Sequence, residues 1–342
     1  MNFPKFIKKG DTIGFVAPSF GCGIEPYYSA FNHSLKKWKE AGYHTKLGPN
    51  CYEDKGIGIS NTPEKCAEEL MSMYQDSGVN ALISCGGGEL MCEVLSYMDF
   101  TKISSATPTW YMGYSDNTNF TFLLTTLADT ASIYGPNAGA FGMEPWHPSI
   151  QDAFELLQGQ KLQMTNYPLW EKESLKDEEH PLVSYHVTEP FQLRCNAEAL
   201  QKEIKGRLLG GCLDCLSNLV GTRFDQVSAF SKKYESDGIL WFLEACDLNV
   251  MDIRRTLWKM KEAGWFAGAS GFLFGRPMHY DEPMMGLDQY EAVLGVLNDL
   301  NVPIIMDLDI GHIAPMMPLV CGSYASVKVK DNDFQITMEM RA

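Results

Sequence analysis

No apolar run in the 342 residues reaches the ~18–20 residues that a helix needs to cross a bilayer. The start, Met1-Asn2-Phe3-Pro4-Lys5, lacks the apolar core and small-residue cleavage site of a secretory signal, so a cytoplasmic protein is expected. Positive charge is scarce. Twenty-eight Lys and Arg face 43 Asp and Glu, a net charge of −15, which argues against nucleic acid or an anionic membrane as partner. It leaves room for a local basic pocket. The ten cysteines show no short disulfide framework and read as reduced packing residues. Cys212 and Cys215 form a lone Cys-x-x-Cys without the second pair that zinc would require. No His-x-x-x-His or His-Glu pair suggests a metal site, and no metal is expected. Nucleotide fingerprints fail as well. After Gly86-Gly87-Gly88 the sixth position of a dinucleotide motif is Met91, and no Gly-Lys-Ser/Thr follows.

What remains is an ordinary globular balance, long enough to favour two domains. The first part alternates strand and helix signals. Asp11-Thr-Ile-Gly-Phe-Val-Ala17 is an apolar run closed by Pro18, and Phe31, Leu35 and Trp38 follow at helical spacing. Thr62-Pro63 reads as a helix start, with the helix reaching about Gln75. Asn80–Ser84 and Thr109–Met112 are further strands. This β-α-β alternation predicts a Rossmann-like, mainly parallel sheet with flanking helices over residues 1–157. Residues 158–200 lose periodicity around a charged stretch between Pro168 and Pro181 and are expected to be a linker or a loop over a site. Residues 201–342 resume with strands at Gly238–Leu243, Gly271–Phe274 and Pro303–Met306, and a hairpin around an Asp-Asn turn in 325–337. The second domain is therefore α/β, with antiparallel or barrel-like strands.

Three residues sit where such strands end. Ser115, in Met112-Gly-Tyr-Ser-Asp-Asn-Thr118, lies at a strand-to-helix turn that can lift a hydroxyl and leave the Asp116 N–H free for an oxyanion. The hydrolase elbow has glycine where this chain has Asn117, and a serine here can equally be a helix cap. Glu244 closes the apolar run Leu240–Glu244, either at a ligand-binding sheet edge or simply facing water. His312 follows the Asp307–Ile310 segment, and a lone strand-end histidine can be structural. His33, His44, His147 and His180 fall in polar contexts and read as surface residues, His186 lies in the loop, and His279 is the second candidate base. The Gly86-Gly87-Gly88 turn either tightens the chain or points N–H groups at an anion.

These elements resemble the LD-carboxypeptidase family of serine peptidases, which includes the microcin C immunity peptidases. The resemblance runs from Gly10–Pro18 through Gly87-Gly88, Gly113-Tyr-Ser-Asp116 and Tyr134-Gly-Pro136. It continues through Gly206–Gly211, Phe242-Leu-Glu244, Gly275-Arg276, Gly311-His312 and Pro318–Gly322. It implies a cofactor-free homodimer with Ser115 as nucleophile, His312 as base and Glu244 orienting it. It also implies oxyanion donors at Asp116 and Gly87-Gly88. The substrate is then a small peptide, either a cytosolic muropeptide losing a terminal D-residue or a peptidyl-nucleotide toxin. For the latter, Trp170 is the candidate aromatic. Cys212 stands where the family usually has asparagine. A reading from another class is a non-catalytic small-molecule binding protein, which does not require the three strand ends to converge.

Overall fold

The computed structural model describes residues 1–201 and 203–342. Its first sheet grows from the β-α-β alternation. β1 (Thr12–Val16), β2 (His44–Leu47), β3 (Ala81–Ser84), β4 (Trp110–Gly113) and β5 (Ser132–Tyr134) pair in parallel in the order β5-β4-β3-β1-β2. The apolar strands β1, β3 and β4 are buried on both faces, as a doubly covered parallel sheet requires. β2, a polar edge strand, has an exposed pattern that hides it from a search for apolar runs. Thr62 caps helix Pro63–Tyr74 by accepting from Lys65 N–H at 3.5 Å, with proline in the first turn.

The stretch expected as linker or loop carries four short strands: β6 (Gln163–Thr165), β7 (Leu169–Glu171), β8 (Val187–Pro190) and β9 (Arg194–Cys195). At two to four residues each, they are too short to show a period. β10 (Ile204–Cys212), β11 (Ile239–Glu244), β12 (Ala269–Gly275) and β13 (Ile304–Leu308) form the parallel centre of the second sheet. After them come β14 (Leu319–Cys321) and the hairpin β15 (Tyr324–Lys330) and β16 (Asp333–Glu339). The second sheet runs β6-β16-β15-β10-β11-β12-β13-β9. Of the two arrangements expected for its flanks, the antiparallel one is what the pairing displays. β7 and β8 make a separate antiparallel pair. β14 instead returns to the first sheet and pairs antiparallel with β5.

Helix Thr118–Thr126 lies between the sheets, buried for almost its whole length. Phe122 stacks on Trp265 at 5.4 Å, and Thr118 Oγ1 accepts from Cys212 N–H at 3.0 Å, so this helix meets the strand β10. One hydrophobic core spans both sheets, from Phe15 and Ile83 to Trp241 and Phe272. The C-terminal ends of β4, β11 and β13 therefore open into one cleft, where open α/β sheets hold their ligands.

Candidate active site

Ser115 stands on the turn between β4 and helix Thr118–Thr126 with φ +63°. A non-glycine residue held there costs about 1–3 kcal/mol, a strain typical of residues presented to a reacting group. Asn117, at the position where the elbow pattern expects glycine, fixes the turn. Its side-chain amide donates to Gly86 O at 2.8 Å and to Tyr114 O at 3.1 Å, and its oxygen accepts from Tyr111 OH at 2.5 Å. Asparagine thus ties the serine turn to the glycine turn beside it.

Ser115 Oγ lies 2.8 Å from His312 Nε2, and His312 Nδ1 lies 2.8 Å from Glu244 Oε2. Glu244 ends β11 with its side chain fully buried. A buried carboxylate needs partners, and the other oxygen takes the Tyr134 hydroxyl at 2.5 Å. Tyr134 OH in turn accepts from Ser115 N–H at 3.3 Å, so one phenol joins the serine backbone to the acid. Gly311, at φ +100°, is indispensable for this contact, because a Cβ there would lie 2.5 Å from Glu244 Oε2.

The carboxylate only accepts, so Nδ1 carries a proton and Nε2 faces the serine. Burial pulls the His312 pKa down, but the Glu244 charge, helped by Cys246 and Tyr114, outweighs it and holds the ring well above the ordinary histidine value. Burial and the neighbouring Glu244 push Tyr134 far up, so it remains a donor. Asp116 is buried and raised to about 6 by desolvation, against the pull of its bonds from Ser19 Oγ (2.6 Å) and Met91 N–H (2.9 Å). Its carboxylate is structural, which leaves its backbone facing Ser115.

Gly87 passes over the serine so closely that a Cβ would lie 3.0 Å from Ser115 Oγ. Among the described residues the N–H groups of Gly87, Gly88 and Asp116 donate to no protein acceptor. Cys212 packs below the acid, its Sγ 3.2 Å from Asp214 Oδ2, and burial pushes its thiol well up. Sγ, a Glu244 oxygen and a His312 nitrogen lie within 4.8 Å of one another. The latter two already hydrogen-bond to each other.

A cavity of about 800 Å³ opens over Ser115 and His312, walled by Gly86–Glu89, the segment from Phe20 to Tyr27 and the 171–185 loop. Trp170 is not in its wall. It packs under Arg276, whose guanidinium sits 4.4 Å from the ring centre, and edge-on to Tyr280. The loop aromatic that does face the cavity is Tyr185, a residue given no role from sequence. His279 is bound to Glu282 at an exposed site and away from this wall. His147, expected at the surface, is half-buried. It caps helix Pro148–Leu157, accepting from Ser149 N–H at 3.2 Å. Asn117 and Tyr134 were missed in these roles because a side chain that holds a turn carries no spacing signal.

Residues 13–135 match the model of the LD-carboxypeptidase N-terminal domain, and residues 205–327 that of the C-terminal domain. A probable murein peptide carboxypeptidase of Bacillus subtilis is 26% identical, covering 96% of this chain and 92% of its own. The microcin C7 self-immunity protein MccF of Escherichia coli is 23% identical, with 96% and 93% covered. Among solved structures, an MccF-like protein from Bacillus anthracis superposes with a TM-score of 0.83 at 22% identity over the full length of both chains, a shared fold. Both halves match over more than two thirds of the sequence, and the chain belongs to the LD-carboxypeptidase family.

Proposed function

We propose that this chain hydrolyses the amide bond between an L-configured centre and a terminal D-residue of a muropeptide, with Ser115 as nucleophile. The observation that carries the reading is the hydrogen-bonded line Ser115–His312–Glu244, 2.8 Å at each step, at the floor of a peptide-sized cavity. A non-catalytic binding protein has no need for three strand ends to meet in this way.

In the proposed reaction, His312 Nε2 takes the Ser115 proton as Oγ attacks the scissile carbonyl. The C–O bond forms as the carbonyl pair moves onto oxygen, against N–H groups of Asp116 and the Gly87-Gly88 turn. Glu244, held by Tyr134, keeps the ring oriented and offsets its positive charge. The C–N bond then breaks as His312 returns the proton to the leaving amine. Water enters by the same route, with His312 as base, and frees the acyl group. Ser115 must meet a neutral His312, so the rate is expected to rise with pH through the raised histidine pKa.

The test is turnover of an anhydro-muropeptide tetrapeptide by wild type and Ser115→Ala, read by mass spectrometry. Release of a single D-alanine by the wild type alone is expected. An active alanine variant would remove Ser115 from the reaction. A second reading, cleavage of a peptidyl-nucleotide with the same three residues, draws support from Tyr185, an aromatic ring on the cavity wall. It is favoured if the wild type cleaves a peptidyl-nucleotide and leaves the tetrapeptide intact.

A further inference from the structure

The cavity wall includes four carboxylates, those of Glu53, Asp54, Glu89 and Glu171, and a single lysine, Lys176. Several lysines elsewhere meet acids, as Lys37 meets Glu144 and Lys261 meets Asp299, and the partly buried Lys259 donates to Ser217 O and Oγ. Among the described residues the Lys176 ammonium has no ion pair and no hydrogen-bond acceptor. Its assigned neighbour is the Tyr27 ring, with the nitrogen 5.9 Å from the centroid. A half-buried ammonium without an anion is unfavourable, and the cost is relieved when a ligand supplies one. Burial pulls its pKa below the ordinary lysine range, opposed weakly by Cys22.

Glu89 faces His312, Asp214 and Asp247, and burial together with those two aspartates raises its pKa. Lys176 faces Tyr27 and Cys22 instead. An anionic group brought beside Glu89 would meet like charge, and at Lys176 it meets the one cation of the wall apart from His312.

We infer that Lys176 is the oxyanion-recognition residue of the substrate cavity, its ammonium binding a carboxylate or phosphate of the substrate while Tyr27 supports the lysine from one side. This rests on the hydrolytic reading of the site, because it supposes that the ligand spans from Ser115 to the loop. The loop lysine then selects for anionic ligands in a cavity whose other charged wall residues, His312 aside, are acids. A charge-assisted contact of this kind contributes roughly 10- to 100-fold in affinity.

The test is calorimetric binding to Ser115→Ala protein, with and without Lys176→Met, which keeps the apolar stem, and Lys176→Arg, which keeps the charge. The ligands are the tetrapeptide, its C-terminal amide, and adenosine monophosphate. Expected is a roughly 10- to 100-fold weakening by Lys176→Met, largely restored by Lys176→Arg. A loss confined to the tetrapeptide acid assigns the contact to the terminal carboxylate. A loss shared by acid and amide assigns it to an internal carboxylate, and a loss for the nucleotide assigns it to phosphate. Affinities that stay within about twofold for every ligand would overturn the inference. Wild-type turnover is measured alongside. Hydrolysis without Lys176-dependent binding defeats this inference alone, and Lys176-dependent binding without hydrolysis defeats the peptidase reading alone.

Discussion

The floor of the cavity is made of strand ends whose hydrogen-bonded side chains run from the half-buried Ser115 and His312 to the fully buried Glu244, whereas its roof is residues 172–186, none of them buried. On the floor the polar side chains hold one another in place. Ser115 faces His312, Glu244 takes both His312 and Tyr134, and Asn117 ties two turns together. The roof presents Lys176 and Tyr185 to the cavity from a chain tied by the β7–β8 pair and by the Glu144 N–H bond to Leu182 O. Preorganised groups suit the reacting atoms, where small misplacements are expensive. An exposed surface segment suits recognition, because it can change without disturbing the chemistry.

Changes to the floor are expected to act on turnover and changes to the roof on substrate choice. The largest effect is expected from His312→Ala, which removes the proposed base. Turnover of the tetrapeptide is expected to fall on the order of 10⁵- to 10⁶-fold in single-turnover assays with the fold intact by circular dichroism. Glu244→Gln keeps the shape and loses the charge, for a drop of about 10⁴-fold. Because Glu244 holds the His312 pKa up, the wild-type rate rises with pH through a value above 6.5, the ordinary histidine pKa. In Glu244→Gln that rise is expected at lower pH, and an unmoved acid limb in the kcat/KM profile would count against the pairing. Gly87→Ala places a methyl 3.0 Å from Ser115 Oγ and is expected to cost about 100-fold in kcat.

Tyr134→Phe tests the brace behind the acid. Losing its bond to Glu244 and the acceptor for Ser115 N–H is expected to lower kcat about tenfold with little change in KM. The smallest effect belongs to Trp170, which lies just before the roof. Trp170→Ala, outside the wall, is expected to shift KM less than about twofold. Tyr185→Ala, on the wall, is expected to raise it more, and the reverse order would return Trp170 to the ligand.

Much of the floor was legible in the sequence because strand ends are signalled by apolar runs. Leu240–Glu244 and Pro303–Met306 announce where β11 and β13 stop, so the residues at and after those ends could be named as candidates. Their convergence could not be read, since it depends on how one sheet packs on the other across helix Thr118–Thr126. Tyr134 and Asn117 were passed over for a related reason. A tyrosine at the end of a short apolar strand looks like core until the acid it supports is in place. The roof was hardest to read. Its flanking strands span three or four residues, and pairing between β7 and β8 arises from contacts across a long loop rather than from any local period. That is also why Trp170, conspicuous in sequence, proves to pack on Arg276, while Tyr185 and Lys176 line the cavity. β14 shows the same limit, since nothing local directs a strand near the C-terminus back to the first sheet.

Covalent labelling by a fluorophosphonate, mapped by peptide mass spectrometry, tests most directly whether His312 activates Ser115. The account predicts one adduct, on Ser115, forming faster as pH rises through the His312 pKa and absent in His312→Ala. Labelling that persists in His312→Ala, or that falls on Cys246 in the same wall, would contradict it.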